Sequence, residues 1–212
     1  MPRAVPPRNL QPVTPTDRNA VRRRALLDAG IGLLGAEEAG AVNVRAACRS
    51  TGVTERYFYE IFGTRDNYAR AVYDDVSEQA RSALLEAAAA GGDFRDLATR
   101  AVDAFVALMI DRPDMGRVLL LAPYREPAIA ELGLGHMPDF FAVVDAAFPE
   151  GLDDRARRLA SVALVGALTS LFTQFLSGTL EVERDALVGY CVDLIVDMAE
   201  HSTRATRTIA GA

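Results

Sequence analysis

Apolar residues recur three and four positions apart along most of the chain, the spacing that gives a helix one buried face. Leu26, Ala29, Gly30, Leu33 and Leu34 form the first such stripe, in a helix that Thr16 or Asp17 can cap and Gly40 can end. Two short helices are expected near 44–50 and 54–61. A long one runs from Asp66 to about Ala90 on Tyr68, Val72, Val76, Ala80, Ala83 and Leu84, and Gly91-Gly92 breaks it. Asp93 caps the next, whose apolar side reads Phe94, Leu97, Ala101, Phe105, Leu108 and Met109. A short helix near 114–122 stops at Pro123, and residues 125–148 give two helices split between Gly133 and Pro138. The last two, roughly 153–177 and 182–203, are long. No alternation of β-branched and polar residues is long enough for a strand, so the expected fold is all-α with nine to ten helices.

Composition sharpens this picture. With 212 residues, half of them hydrophobic, the chain can hold one large core or a small domain joined to a larger one. The net charge of −6 argues against a protein that coats nucleic acid indiscriminately, but the charge is unevenly spread. Residues 1–68 carry ten Arg against seven acidic residues, a balance of +3, and the remainder carries −9. A basic head on an acidic body suits local contact with phosphate. Five Pro within residues 1–16 predict a disordered arm, and Pro2, Pro6 and Pro7 stand where a signal peptide needs an apolar run. Residues 159–176 come nearest to a membrane span but are interrupted by Ser161, Thr169, Ser170, Thr173 and Gln174. The expected location is the cytoplasm, with no membrane partner. Cys48 and Cys191 lie among apolar neighbours and read as buried small hydrophobes in a reducing compartment. With only His136 and His201 beside them, no metal site and no cofactor are expected.

The most informative stretch is Val42 to Arg65, a short helix, a glycine turn and a second short helix. Asn43 and Thr54 can cap the two helices, and Gly52 can supply the positive φ that a tight turn between crossed helices needs. Val44, Ala47, Cys48, Val53, Phe58 and Phe62 are the expected internal packing. At about 100° per residue, Phe58 and Phe62 point one way and Arg56 and Glu60 the other, with Tyr57 and Tyr59 on the flanks. An outer face of Thr, Arg and Tyr can reach base edges and phosphates, although spacing alone equally allows a plain surface helix.

Gly52-Val53-Thr54, Phe58-Tyr59, Phe62 and Thr64-Arg65-Asp66 match, in order and spacing, the N-terminal domain of the tetracycline-repressor (TetR) family. The chain resembles that family closely over residues 18–70, and beyond them as an arrangement of helices. The resemblance implies a helix-turn-helix DNA-binding domain at 17–65 and a ligand-sensing and dimerisation domain at 66–212. It implies that Tyr59 touches the DNA backbone, that Thr54, Arg56, Tyr57 and Arg45 face DNA, and that Arg65 neutralises a phosphate. The chain departs from the family pattern in three ways. Ala47-Cys48 is smaller than the usual pair, leaving space for Phe58. Arg56 and Tyr57 stand where smaller residues are common. Glu60 repels phosphate unless it accepts from a cytosine amine or a neighbouring Arg.

The same resemblance implies a homodimer built on the last two helices. Ala163, Gly166, Ala167 and Ser170 are small enough for close approach, and Leu187, Cys191, Leu194 and Met198 offer apolar contacts; a purely internal core is the other reading. An effector pocket between the middle helices is also implied. Phe105, Met109, Phe140, Phe141, Phe172 and Phe175 are the candidate lining, although each type is more often plain core. His136 reads as a loop residue. No nucleophile elbow, phosphate loop or HExxH is present, so an enzyme is not expected. The expected function is a regulator, a repressor released by a small apolar effector from a pseudo-palindromic site on double-stranded DNA. A DNA-binding dimer without effector and a helical protein–protein adaptor are the alternatives.

Overall fold

The chain's caps and glycines set where its helices begin and turn. In a computed structural model, which describes residues 15–38, 42–149 and 151–210, the first helix is α1 (Pro15–Leu34). Most of the expected N-terminal arm therefore lies outside the described residues, and its last two positions already belong to α1. Gly40 also lies outside them, and α1 stops well before it. The chain just past the helix makes a tertiary contact. Gly35 is pressed against the backbone of Asp114, where a Cβ would come within 2.1 Å of a carbonyl oxygen.

The next helices are α2 (Val44–Thr51), α3 (Glu55–Phe62) and α4 (Arg65–Ala89). Asn43 Oδ1 accepts from the Ala46 amide at 3.2 Å, and Thr64 Oγ1 from the Asn67 amide at 3.0 Å. Gly52, at φ 69°, makes the left-handed turn between α2 and α3. Gly91 and Gly92 end α4, and Asp93 caps α5 (Phe94–Met109) by accepting from the Asp96 amide at 2.9 Å. Then come α6 (Pro113–Leu120), the single turn α7 (Ala122–Arg125), a 3-10 turn at Pro127–Ile129, α8 (Ala130–Gly135) and α9 (Met137–Ala147). The chain closes with α10 (Asp154–Leu176) and α11 (Arg184–Ala210). Pro123 does not stop the chain's helical course; it occupies the first turn of α7, where a proline lacks no needed donor. The expected break at 133–138 narrows to His136, since Gly133, Leu134 and Gly135 are helical. No strand occurs among the described residues, and the fold is all-α.

One core runs through the molecule. In the head, Leu26, Leu27 and Ile31 of α1 meet Ala47, Phe58 and Phe62. The α4 helix then crosses from head to body. Its Tyr68 is fully buried beside Phe58 and Phe62 and donates to the Leu26 carbonyl at 2.5 Å, while Val76 and Ala80, further along, are buried in the body. Gly30 lets α1 lie close on this helix, for a Cβ there would meet Val72 at 2.4 Å. Arg24 of α1 adds a clasp to Asp75 at 2.6 and 2.9 Å. In the body α5 packs between α4 and α11, and α10 lies against α6, α9 and α11. By length and composition α10 could cross a membrane, with a mean hydropathy of 1.8 over its most apolar window, but here it is one member of the helical body.

Candidate nucleic-acid interface and ligand cavity

The head presents α3 as a shelf held from behind. Phe58 is fully buried, and its ring lies 4.9 Å from Tyr68 and 5.4 Å from Phe62. Aromatic pairs at this separation add directional packing to plain burial. With that side fixed, the opposite side of α3 must face outward. Arg56 is 86% exposed, and Tyr57 and Tyr59 are exposed beside it. Thr54 caps the helix while staying exposed, its hydroxyl accepting from the Tyr57 amide at 3.5 Å.

The charges on this face are paired with one another. Arg56 Nε donates to Glu60 Oε1 at 2.9 Å, and Arg45 on α2 lies 3.6 Å from Glu55. Glu60 is thus neutralised by a neighbouring Arg, the condition under which it does not repel phosphate. Arg22 of α1, which the helix wheel of α3 could not reveal, stacks its guanidinium 4.4 Å from the Tyr57 ring.

Arg65 has a different setting from the other candidates. Its Nη1 donates to Glu126 Oε1 at 2.9 Å and to Asp66 at 2.9 Å, its Nη2 donates to Glu126 Oε2, and its Nε donates to the Val42 carbonyl at 3.3 Å. Glu126 is 3% exposed and also accepts from the Ala128 amide at 3.2 Å. The carboxylate raises the Arg65 guanidinium above its ordinary value. Arg65 is therefore a clamp between the start of α4, the chain entering α2 and the body. Nothing in the spacing of the sequence marks Glu126, which lies far along the chain from Arg65.

The body contains a cavity of about 420 Å³ between α4, α5, α8, α9 and α10. Phe105, Phe140 and Phe172 line it, as does the Phe94, Leu97 and Ala101 side of α5. Met109, Phe141 and Phe175 do not line it. Met109 is fully buried together with Val106 of the same helix, and neither lines the cavity, whereas Ala98 and Val102 are buried at its wall. His136 is more than a loop residue. Its Nε2 lies 3.0 Å from Asp74, and its ring meets Tyr73 edge-on at 5.6 Å.

The small residues proposed for a dimer contact divide cleanly. Ala163, Gly166 and Ser170 are exposed on α10 and Ala167 is half-buried. On α11, Leu194 and Met198 are half-buried, whereas Leu187 and Cys191 face the chain's own core at 3% and 0% exposure. Those two leave no area for a partner, a correction that follows from α11 packing on α5. Cys48 and Cys191 are both buried and unpaired with each other, and burial pushes the Cys191 thiol up to about 11 and also raises that of Cys48.

Comparison with solved structures fits this geometry. A fatty acid degradation regulator, FadR, from Bacillus halodurans superposes with a TM-score of 0.69 at 14% identity, covering 82% of this chain and 94% of that one. A TetR-like transcriptional regulator from Rhodococcus sp. RHA1 gives 0.64 at 19% identity over 83% and 94% of the two chains. A TetR family regulator from Marinobacter aquaeolei VT8 gives 0.63 at 18% identity over 86% and 97%. This is the TetR-regulator fold. No protein-family model matches the sequence, and no curated protein does. In this fold the head is α1 to α3 with the start of α4, and the cavity-bearing body is the rest.

Proposed function

We propose that the protein is a TetR-family transcriptional regulator in the cytoplasm, a repressor that binds double-stranded DNA as a homodimer and leaves it when a small molecule fills the cavity. The observation that carries this reading is the outer face of α3. Arg56, Tyr57 and Tyr59 stand exposed on a short helix whose back is locked by buried rings, as a helix entering a major groove requires. Arg45 and Thr54 flank them. Arg65, held by Glu126, is better placed to fix the head than to meet a phosphate. The basic head and acidic body suit a protein that touches DNA at one end.

The dimer reading rests on α10. Only 28% of its most apolar window is buried within one chain, and Leu159 and Val162 are 64% and 51% exposed. Ala163, Gly166 and Ser170 are exposed on the same helix, and Tyr190 of α11 is 60% exposed. A second copy covering this face gives two heads and so a pseudo-palindromic site. The effector reading rests on the cavity and on its wall. Pro123, Tyr124, Ala130, Gly133 and Leu134 belong to the segment that also carries Glu126, so a wall displaced by a ligand pulls on Arg65 and through it on the entry to α2.

Two measurements test this. A gel shift on the DNA upstream of its own gene should show a saturable complex at nanomolar protein; no preference over random duplex at any salt refutes the regulator. Sedimentation should show a dimer, and Gly166→Glu should show a folded monomer. A Cβ at Gly166 meets nothing within 4 Å in the single chain, so that variant disturbs only what approaches from outside.

A further inference from the structure

The cavity wall is uniform in one respect. Of the residues that line it, none is Asp, Glu, Arg or His. The polar side chains on it are three hydroxyls, those of Tyr73, Tyr124 and Thr169. Tyr124 is 82% exposed and stands at the outer edge, where water competes for it. Tyr73 is only 3% exposed. Its phenol oxygen lies at Gly133, 3.6 Å from where a Cβ would stand, on the wall formed by α4 and α8. Burial raises the Tyr73 phenol above its ordinary value against the opposing effect of the Ser77 hydroxyl beside it, so Tyr73 stays a neutral donor. Ser77 itself is buried, and its oxygen makes no well-formed hydrogen bond.

An ionised ligand fares badly in such a place. A carboxylate or ammonium moved from water into apolar surroundings needs an opposite charge and several hydrogen bonds, and without them its desolvation outweighs the burial of its tail. Two polar side chains near the wall already have partners of their own. His136 lies behind Tyr73 with its Nε2 on Asp74, and Arg100, near the α4–α5 turn, donates to the Ala87 carbonyl at 3.3 Å and to the Gly91 carbonyl.

We infer that the cavity selects an uncharged molecule with an apolar body and a hydrogen-bonding oxygen, which Tyr73 recognises, and that it rejects the ionised acid of the same skeleton. This rests on the cavity being the effector site. A free fatty acid falls in the rejected class, because it is ionised at neutral pH.

The test uses the full-length protein at pH 8 with the neutral dye N-phenyl-1-naphthylamine, displaced by decan-1-ol, methyl decanoate or decanoate. The alcohol and the ester should displace the dye at concentrations at least tenfold below that needed for decanoate. Lowering the pH to 4.5, with folding checked by circular dichroism, should narrow the gap as the acid takes up its proton. Tyr73→Phe should weaken decan-1-ol about fivefold, the range of one net hydrogen bond, while the dye's own affinity stays unchanged. Decanoate competing as well as the alcohol at pH 8 overturns the selection for a neutral molecule. An unchanged alcohol affinity in Tyr73→Phe overturns the role of Tyr73. Dye that never binds removes the cavity as a ligand site, a separate failure from loss of the gel shift, which concerns the head.

Discussion

In the head, Phe58, Phe62 and Tyr68 meet at 4.9 to 5.4 Å with every ring buried. In the body, Phe105 and Phe172 meet at 5.0 Å, but on the wall of a cavity of about 420 Å³. Both regions use the same residue types, and both are helices packed on helices. The head closes its rings on one another because the short helices α2 and α3 and the buried face of α1 all bear on one point, the start of α4. The body spreads its rings over longer helices that cannot all touch at once. A reading face needs a fixed direction, which a closed core provides. The sensing site proposed above needs space, and the body leaves it beside the single turn α7, whose Pro123 and Tyr124 lie on the cavity wall.

The most damaging change to this contrast should be Phe58→Ala. Removing a ring from the closed cluster should cost about 3–5 kcal/mol, seen as a lower melting temperature and lost DNA binding. A loss below 1 kcal/mol would mean that the head can collapse around the gap and is not closed after all.

Arg65→Ala comes next. It leaves the Glu126 carboxylate, 3% exposed, without its partner, and should destabilise the chain by about 3 kcal/mol. Pairing it with Glu126→Leu should restore much of that stability, because the orphaned charge is gone. If Arg65→Ala instead leaves the melting temperature unchanged and lowers the salt dependence of DNA binding by about one, then Arg65 serves a phosphate and the clamp is incidental.

Arg56→Ala should leave stability untouched, since Arg56 is 86% exposed. Its effect should fall on recognition, with about 1–3 kcal/mol of discrimination lost at one base position per half-site. Affinities for single-base variants of the site report this directly, and intact preferences at every position would move the reading role to Tyr57 or Arg45.

Among changes inside the core, the smallest stability effect should come from Ala101→Leu. In a closed core the added methylenes cost about 1–3 kcal/mol, but Ala101 faces the cavity, and the shift there should stay below about 1 kcal/mol while the dye is excluded. A penalty as large as that of an overpacked core would show that the body is as tightly filled as the head.

Much of the head was legible from residues alone. Its caps, its turn and its buried rings are local or nearly so: Asn43, Gly52, Thr54 and Phe58 lie within a short window, and each acts on neighbours a few positions away. The body was harder to read. The apolar stripe Phe94, Leu97, Ala101 and Phe105 was visible, but whether it faces core or cavity was not. Met109 shares that apolar character and lies on the filled side. The exposed side of α10 was likewise visible as small residues, while Leu187 and Cys191 needed the placement of α5 before their direction could be known.

By itself, then, the sequence determined helical class, the places where helices turn, and the outward face of α3. These follow from periodicity, capping and glycine, which act over single turns of helix. Tertiary structure alone decided the rest. It laid Gly35 against the backbone of Asp114, joined Arg65 to Glu126 across a long stretch of chain, and left a space lined by no charged side chain between α4, α5 and α10. The reason is physical. A close backbone approach, a buried ion pair and a cavity are each made by groups that are distant in the chain, and local spacing carries no record of which of them will meet.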